Sequence, residues 1–328
     1  MDNREVMVSV LCLAHDHEAY IAQALESFVS QETDFRYEIL VNDDASTDGT
    51  ADIIRAYAEK YPDLIVPFYQ EKNLFSQGKV IYDEVFYPVA RGKYFASIEG
   101  DDYWCDPRKL QLQVDFLESH PEYAACVHNT VIHTCGSSEP DRPYITARSG
   151  DRDVDFETVM LGMGKAYHTS SLMARRELMI DPPKFYYTAY SYGFGDQPRA
   201  VWFALNGGIR FIDRPMSVYR VRSNPQSWSS NLDRHYTQLK RFVQGELAMI
   251  DDLMPFLSGE NVEIAKDVRL RREFELMFVE GRARDQFRRP YRKFLRQESF
   301  GYKLKWLMKL LFPRLYSLYR KKRGYSDY

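Results

Sequence analysis

Glu99, Asp101 and Asp102 place three carboxylates within four residues, split only by Gly100, and they end an apolar run, Lys93–Ile98. Like charges this close repel, and burying them unpaired is costly. Carboxylate oxygens are hard ligands suited to Mg²⁺ or Mn²⁺, cations that bridge to phosphate oxygens. Helix capping does not require these acids, because Asp106 before Pro107 already supplies a cap and a first-turn proline. A second pair, Asp43–Asp44, closes the apolar run Tyr37–Asn42 and leads into Ala45–Ser46–Thr47–Asp48–Gly49. Those residues form turns in any case, but an aspartate here can also accept hydrogen bonds from the imide or hydroxyl donors of a nucleotide. A further acid, Asp196, follows a glycine in Phe194–Gly195–Asp196–Gln197–Pro198 and precedes a helical pattern. It is placed to cap that helix or to take a proton.

The elements that must position these acids alternate. Val6–Leu13 is a strand-length apolar run, of the kind that suits a parallel strand covered on both faces. Asp16 is placed to cap a helix running to about Gln31. Strand Tyr37–Asn42, helix Thr50–Tyr61 and strand Leu64–Tyr69 follow. Next come a helical stretch over Lys79–Ala90, strand Lys93–Ile98, a helix from Pro107 to about His120, and strand Tyr123–Val131. Such alternation predicts a mostly parallel sheet with helices on both faces, binding ligand beyond the carboxyl ends of its strands. Ala14–His15–Asp16, Asp43–Asp44 and Glu99–Asp101–Asp102 then converge on one crevice. Residues 136–156 read as a loop. A short helix, a strand near Thr169–Ala174 and a tyrosine-rich loop (184–198) follow, then a helix to about Leu205 and strands near Ile209–Ile212 and Ser217–Val221. From about Asp233 the pattern is helical, broken near Pro255, Pro290 and Pro313.

Composition is that of a globular protein, with 45% apolar and 28% charged residues in a chain of 328. The four cysteines form no CxxC pair, which disfavours a disulfide scaffold or a zinc site. No signal peptide is expected, and no apolar run reaches the roughly 18 residues of a membrane span. GxGxxG, GxxxxGK[ST] and GxSxG motifs are absent. The net charge of −3 conceals an asymmetry, because residues 282–323 carry 15 Lys/Arg against 2 Asp/Glu.

The stretches VSVLCLAHD, EILVNDDASTDGT and GKYFASIEGDDYWCDPRKLQLQVDFLESHP resemble the nucleotide-binding half of a GT-A fold inverting glycosyltransferase of family 2. NDDASTDGT is similar to that family's V-D-D-x-S-x-D-x-T, and EGDDYW to its D-x-D metal motif. The resemblance is strong over about 6–132 and looser to about 230. It implies an α/β GT-A catalytic domain over 1–230, with a nucleotide-sugar half (1–132) and an acceptor half (133–230). A helical region, 231–328, would follow. It implies that Ala14, His15, Asp43 and Asp44 meet the nucleotide, with Asp44 at the uracil. Asp101 would lie near ribose and metal, Asp102 would bind Mn²⁺ or Mg²⁺, and Asp196 would be the general base, with Asp181 and Asp213 as rivals. Where the family often has a metal-binding histidine this chain has Arg222, suited to diphosphate rather than to a cation. Arg220 and Trp228 are candidates to flank the acceptor.

The function so implied is transfer of a sugar from a nucleoside diphosphate sugar, a UDP-sugar above all, to a hydroxyl of a saccharide or lipid-linked acceptor in surface polysaccharide assembly. A nucleotidyltransferase and a non-catalytic sugar-nucleotide-binding partner are the alternatives. No nucleic-acid partner is expected, and a homo-oligomer is left open. Leu304, Leu307, Met308 and Leu311 recur at helical spacing among Lys303, Lys305 and Lys309. Residues 282–323 therefore read as a basic amphipathic segment on an anionic membrane surface, placing the chain at the cytoplasmic face of the cell membrane.

Overall fold

The computed structural model describes residues 5–146, 149–221 and 236–312. The chain forms two compact units. One comprises the chain up to Pro182 and the stretch from Arg199 through the last strand. The other comprises Pro183–Pro198 and the C-terminal helices.

In the first unit the apolar runs become β1 (Val6–Ala14), β2 (Arg36–Asp43), β3 (Ile65–Tyr69) and β4 (Tyr94–Glu99). They are joined by α1 (Ile21–Val29) and α2 (Thr50–Lys60). After β4 come β5 (Tyr103–Trp104), α3 (Lys109–Ser119), β6 (Ala125–Thr134), β7 (Arg142–Pro143), β8 (Arg152–Val154), α4 (Phe156–Met160), α5 (Met163–Ala166) and β9 (Met173–Arg175). The sheet runs β3-β2-β1-β4-β9-β6-β10-β5, with β10 spanning Ile209–Val221. The pairings β1–β2, β1–β4, β2–β3 and β6–β10 are parallel, as the alternation predicts. β9 is antiparallel to both of its neighbours and separates β4 from β6. Val8, Val10, Cys12, Ile39, Val41, Ala96 and Ile98 form the core with Ile21, Leu25 and Phe28 of α1 and Leu110, Val114 and Leu117 of α3.

Several local expectations differ from the structure. Asp16 does not cap α1. Its φ is +53°, and its carboxylate accepts the Thr47 N–H at 2.7 Å, tying the two loops together. Lys79–Ala90 is not an α-helix: only a single π turn forms, over Tyr82–Phe86, with Tyr82, Val85 and Phe86 turned inward. The two late strands are one, β10, whose pairing with β6 shifts register around Pro215.

Lys109, in the first turn of α3, is fully buried. Its Nζ lies 4.0 Å from the centroid of the Trp104 ring and has no hydrogen-bond partner among the described residues. Burial pushes this amine down to about 7. Because the folded value lies below the unfolded one, the charged form is penalised in the fold: the cost is absent above about pH 10.5 and complete below about 7. Lys109→Met is therefore expected to raise Tm by about 5 °C or more at pH 6, with the gain shrinking as pH approaches 10. Thermal melts across that range check this.

The second unit contains α6 (Lys184–Ser191), the start of α7 (Asp196–Leu205), α8 (Tyr236–Leu253), α9 (Glu260–Val279), α10 (Arg292–Gln297) and α11 (Phe300–Leu311). The tyrosine-rich segment is thus largely helical, with Phe185, Tyr186 and Ala189 of α6 buried. On α11, Trp306 and Lys309 face inward. Phe300, Leu304, Leu307 and Leu311 are 82%, 50%, 46% and 57% exposed.

Candidate active site

Parallel pairing brings the acids to one edge of the first unit. Ala14 is opposite Asp43 and Leu13 opposite Glu99, so β1, β2 and β4 end level. Ala14 O accepts the Asp44 N–H at 2.8 Å, and Leu13 O accepts that of Gly100 at 2.7 Å. Gly100 is needed for this approach, since a Cβ there would sit 2.7 Å from Ile21 Cδ1.

Asp102 is buried. Its Oδ1 accepts the Arg220 backbone N–H at 2.9 Å, and its Oδ2 faces His168 Nδ1 at 3.8 Å. Burial first, and then the Asp101 charge, push the Asp102 carboxyl well above the usual carboxylate range. Arg220 supplies positive charge behind the pair. Its Nη1 donates to Asp101 O at 2.5 Å, its Nη2 donates to Gln23, and its guanidinium lies over the rings of Tyr20 and Tyr103. Arg220 therefore braces the acidic turn, a role its sequence position did not disclose. A raised, buried carboxyl with one oxygen held by backbone and the other turned away from it fits a divalent cation, which would offset the repulsion. Among the described residues no three His, Cys, Asp or Glu side chains gather as a preformed metal site.

Two histidines that sequence reasoning missed flank the acids. His17 Nε2 lies 4.0 Å from Asp101 Oδ1. His168 stacks on Tyr219, ring centroids 4.0 Å apart, and ends a buried hydroxyl chain. Its Nδ1 is 2.8 Å from Ser170 Oγ, Ser170 is 2.9 Å from Ser217 Oγ, and Ser217 is 2.9 Å from Thr130 Oγ1. The one available signal was a histidine followed directly by Thr169–Ser170–Ser171.

At the second pair, Asp44 accepts the N–H groups of Leu74 (2.7 Å) and Phe75 (3.1 Å), one on each oxygen, and so fixes the turn after β3. Asp43 Oδ2 accepts from Ser46 N at 3.3 Å, while its buried Oδ1 has no partner among the described residues. His15 stands beside them, partly exposed, with Asn73 Nδ2 3.4 Å from both ring nitrogens. Asp44→Ala should therefore weaken UDP binding, by about 1–3 kcal/mol, the scale of a hydrogen bond to a charged group. It should also loosen the 73–75 turn. Calorimetry with UDP and GDP checks the first effect, and a loss equal for both nucleotides would assign Asp44 to the turn alone.

Asp196 is the first residue of α7, exposed, and lies in the second unit. Of its rivals, Asp213 accepts from Asn129 Nδ2 (3.0 Å) and Gly150 N (2.7 Å) and so staples a loop. Asp181 has φ +55° and is exposed. Arg222 and Trp228 lie outside the described residues.

A strand-end acidic crevice on this curled mixed sheet defines a GT-A sugar transferase, and sequence and structure comparisons agree. The glycosyl transferase family 2 profile matches residues 9–166. An uncharacterized protein of Mycobacterium tuberculosis is 32% identical over 266 residues, which is 77% of this chain and 69% of that protein. The UDP-Glc:alpha-D-GlcNAc-diphosphoundecaprenol beta-1,3-glucosyltransferase WfaP of Escherichia coli is 32% identical over 113 residues, 34% of this chain and 42% of that one. Among solved structures, S. aureus TarS in complex with UDP superposes with TM-score 0.56 at 17% identity, covering 93% of this chain and 79% of TarS. The mannosyltransferase PcManGT of Pyrobaculum calidifontis, in complex with GDP-Man and Mn²⁺, gives 0.55 at 15% identity, covering 98% and 88%. The chain belongs to glycosyl transferase family 2. It is an enzyme that transfers a sugar from a nucleotide sugar.

Proposed function

We propose that the enzyme is an inverting, divalent-metal-dependent transferase that uses a UDP-sugar and delivers it to a hydroxyl of a saccharide or lipid-linked acceptor in surface polysaccharide assembly. The observation that carries this reading is Asp102, buried at the end of β4 with its carboxyl raised by desolvation and by Asp101. Mn²⁺ or Mg²⁺ at Asp102, with Asp101 beside it, would neutralise the diphosphate leaving group. One or two protein carboxylates suffice for such an ion when the diphosphate and water complete its shell. Ala14, His15, Asp43 and Asp44 hold the nucleotide, and Arg222 meets the diphosphate. Asp196 takes the proton of the acceptor hydroxyl as its oxygen attacks the anomeric carbon opposite the diphosphate, and the carbon–diphosphate bond breaks. The UDP in the TarS complex and the lipid diphosphate in WfaP's name support the donor and acceptor classes. Incubation with UDP-glucose, UDP-N-acetylglucosamine, UDP-galactose and GDP-mannose, with Mn²⁺ or with chelator, tests the reading. Metal-dependent hydrolysis of a UDP-sugar is expected. Metal-independent turnover, or turnover of GDP-mannose alone, would contradict it.

The enzyme works at the cytoplasmic face of the membrane, held by residues 282–323. No described helix is long and apolar enough to cross a membrane. The exposed face of α11, with Phe300, Leu304, Leu307 and Leu311 beside exposed Lys303 and Lys305, supports an interfacial attachment. Each basic residue near an anionic leaflet adds roughly 1 kcal/mol. Full-length protein should float with anionic but not neutral liposomes and be released by salt. The triple change of Leu304, Leu307 and Leu311 to Ser should abolish flotation while UDP binding persists.

A further inference from the structure

The segment Pro183–Pro198, which leads to and includes Asp196, belongs to the same compact unit as the C-terminal helices. It is fastened to them along its length. At its start, Lys184 Nζ and Thr188 Oγ1 donate to Asp252 at 2.7 and 2.6 Å, and Phe185 meets Phe256 edge-on at 5.6 Å. At the turn before Asp196, Arg241 Nη2 donates to Ser191 O at 2.7 Å, and the Phe194 ring packs on Phe242 at 4.7 Å. Gly245 admits this turn, because a Cβ there would lie 2.5 Å from Tyr192 Cβ and 2.8 Å from Phe194 Cε1.

The residue after Asp196 is held most firmly. Gln197, only 4% exposed, hydrogen-bonds the side chain of Glu246, itself 2% exposed on α8. Arg272 of α9 pairs with Glu246 at 2.8 Å and with Glu275 at 2.8 Å. A buried carboxylate and guanidinium are costly to place unless they specify something. Here the network ends on the backbone neighbour of the proposed base.

We propose that α8 and α9 are the platform of the Asp196 loop, with Glu246 and Phe242 as positioning residues that hold it for acceptor deprotonation. This rests on Asp196 being the base. It gives the C-terminal helices a catalytic duty distinct from membrane attachment.

Hydrogen exchange on full-length protein, read over residues 190–198, tests the proposal beside UDP-sugar hydrolysis and UDP affinity. The wild-type segment should be protected. Glu246→Gln, which keeps shape but removes the charge, and Phe242→Leu, which removes the ring, should each speed its exchange about tenfold. They should lower turnover by about tenfold or more, since a shift of about 1 Å can cost 10²-fold. UDP affinity and exchange over 97–104 should not change, and Phe242→Tyr, which restores the ring, should behave as wild type. An unprotected wild-type segment overturns the proposal, as does full turnover in both variants while Asp196→Asn is inactive. Full turnover in Asp196→Asn removes the base assignment and the proposal with it.

Discussion

Asp102→Ala is expected to cut turnover by at least about 10³-fold, the several kcal/mol a metal supplies to a departing anion. Mn²⁺ stimulation should vanish with it. The fold should survive. The carboxyl is a poorly tolerated buried charge, so its removal relieves repulsion from Asp101 and Glu99. Its one lost hydrogen bond is that from the Arg220 N–H, and Arg220 keeps its contacts to Asp101 O and Gln23. Circular dichroism and thermal melts should thus look native while Mn²⁺ binding, read by EPR in the presence of UDP, is lost. Turnover in chelator at the wild-type rate would remove the metal from the mechanism.

The second large effect is on the acceptor side. Asp196→Asn keeps the shape and the helix start of α7 but cannot take a proton. Turnover should fall by about 10²-fold or more, the scale of general base catalysis. Because Asp196 lies outside the unit that carries Asp43, Asp44, Asp101 and Asp102, the affinity for UDP should stay within about twofold. A collapse of UDP binding would move Asp196 into the nucleotide site.

The acids were legible because apolar runs of strand length stop in charge, and a parallel sheet leaves such ends level. Asp102 and Asp43 could be placed this way before any contact was known. The neighbours of the acids could not. Arg220 is far away in sequence, and its bracing role depends on β10 folding back beside β5. His17 and His168 carry no local pattern that distinguishes a site histidine from an ordinary one. β9 is three residues long, too short for periodicity, yet it decides which strands are neighbours. The 184–191 segment was read as loop because its aromatics obscure the helical stripe that buries Phe185, Tyr186 and Ala189.

The place of β9 bears on how such enzymes can diversify. Residues 173–175 and the strand 209–221 complete the sheet on which β4 and β6 rest, although both lie beyond the stretch that matches the family profile. A fragment ending near 132 would leave β4 and β6 with bare edges, open to pairing between molecules. The donor-binding half is therefore no transplantable cassette. A chimera that exchanges acceptor halves must carry β9 and β10 from the donor-half parent, making its junctions in the loops around them. Recombination at the apparent motif boundary would yield a chain that recognises its nucleotide in sequence but has no sheet to recognise it with.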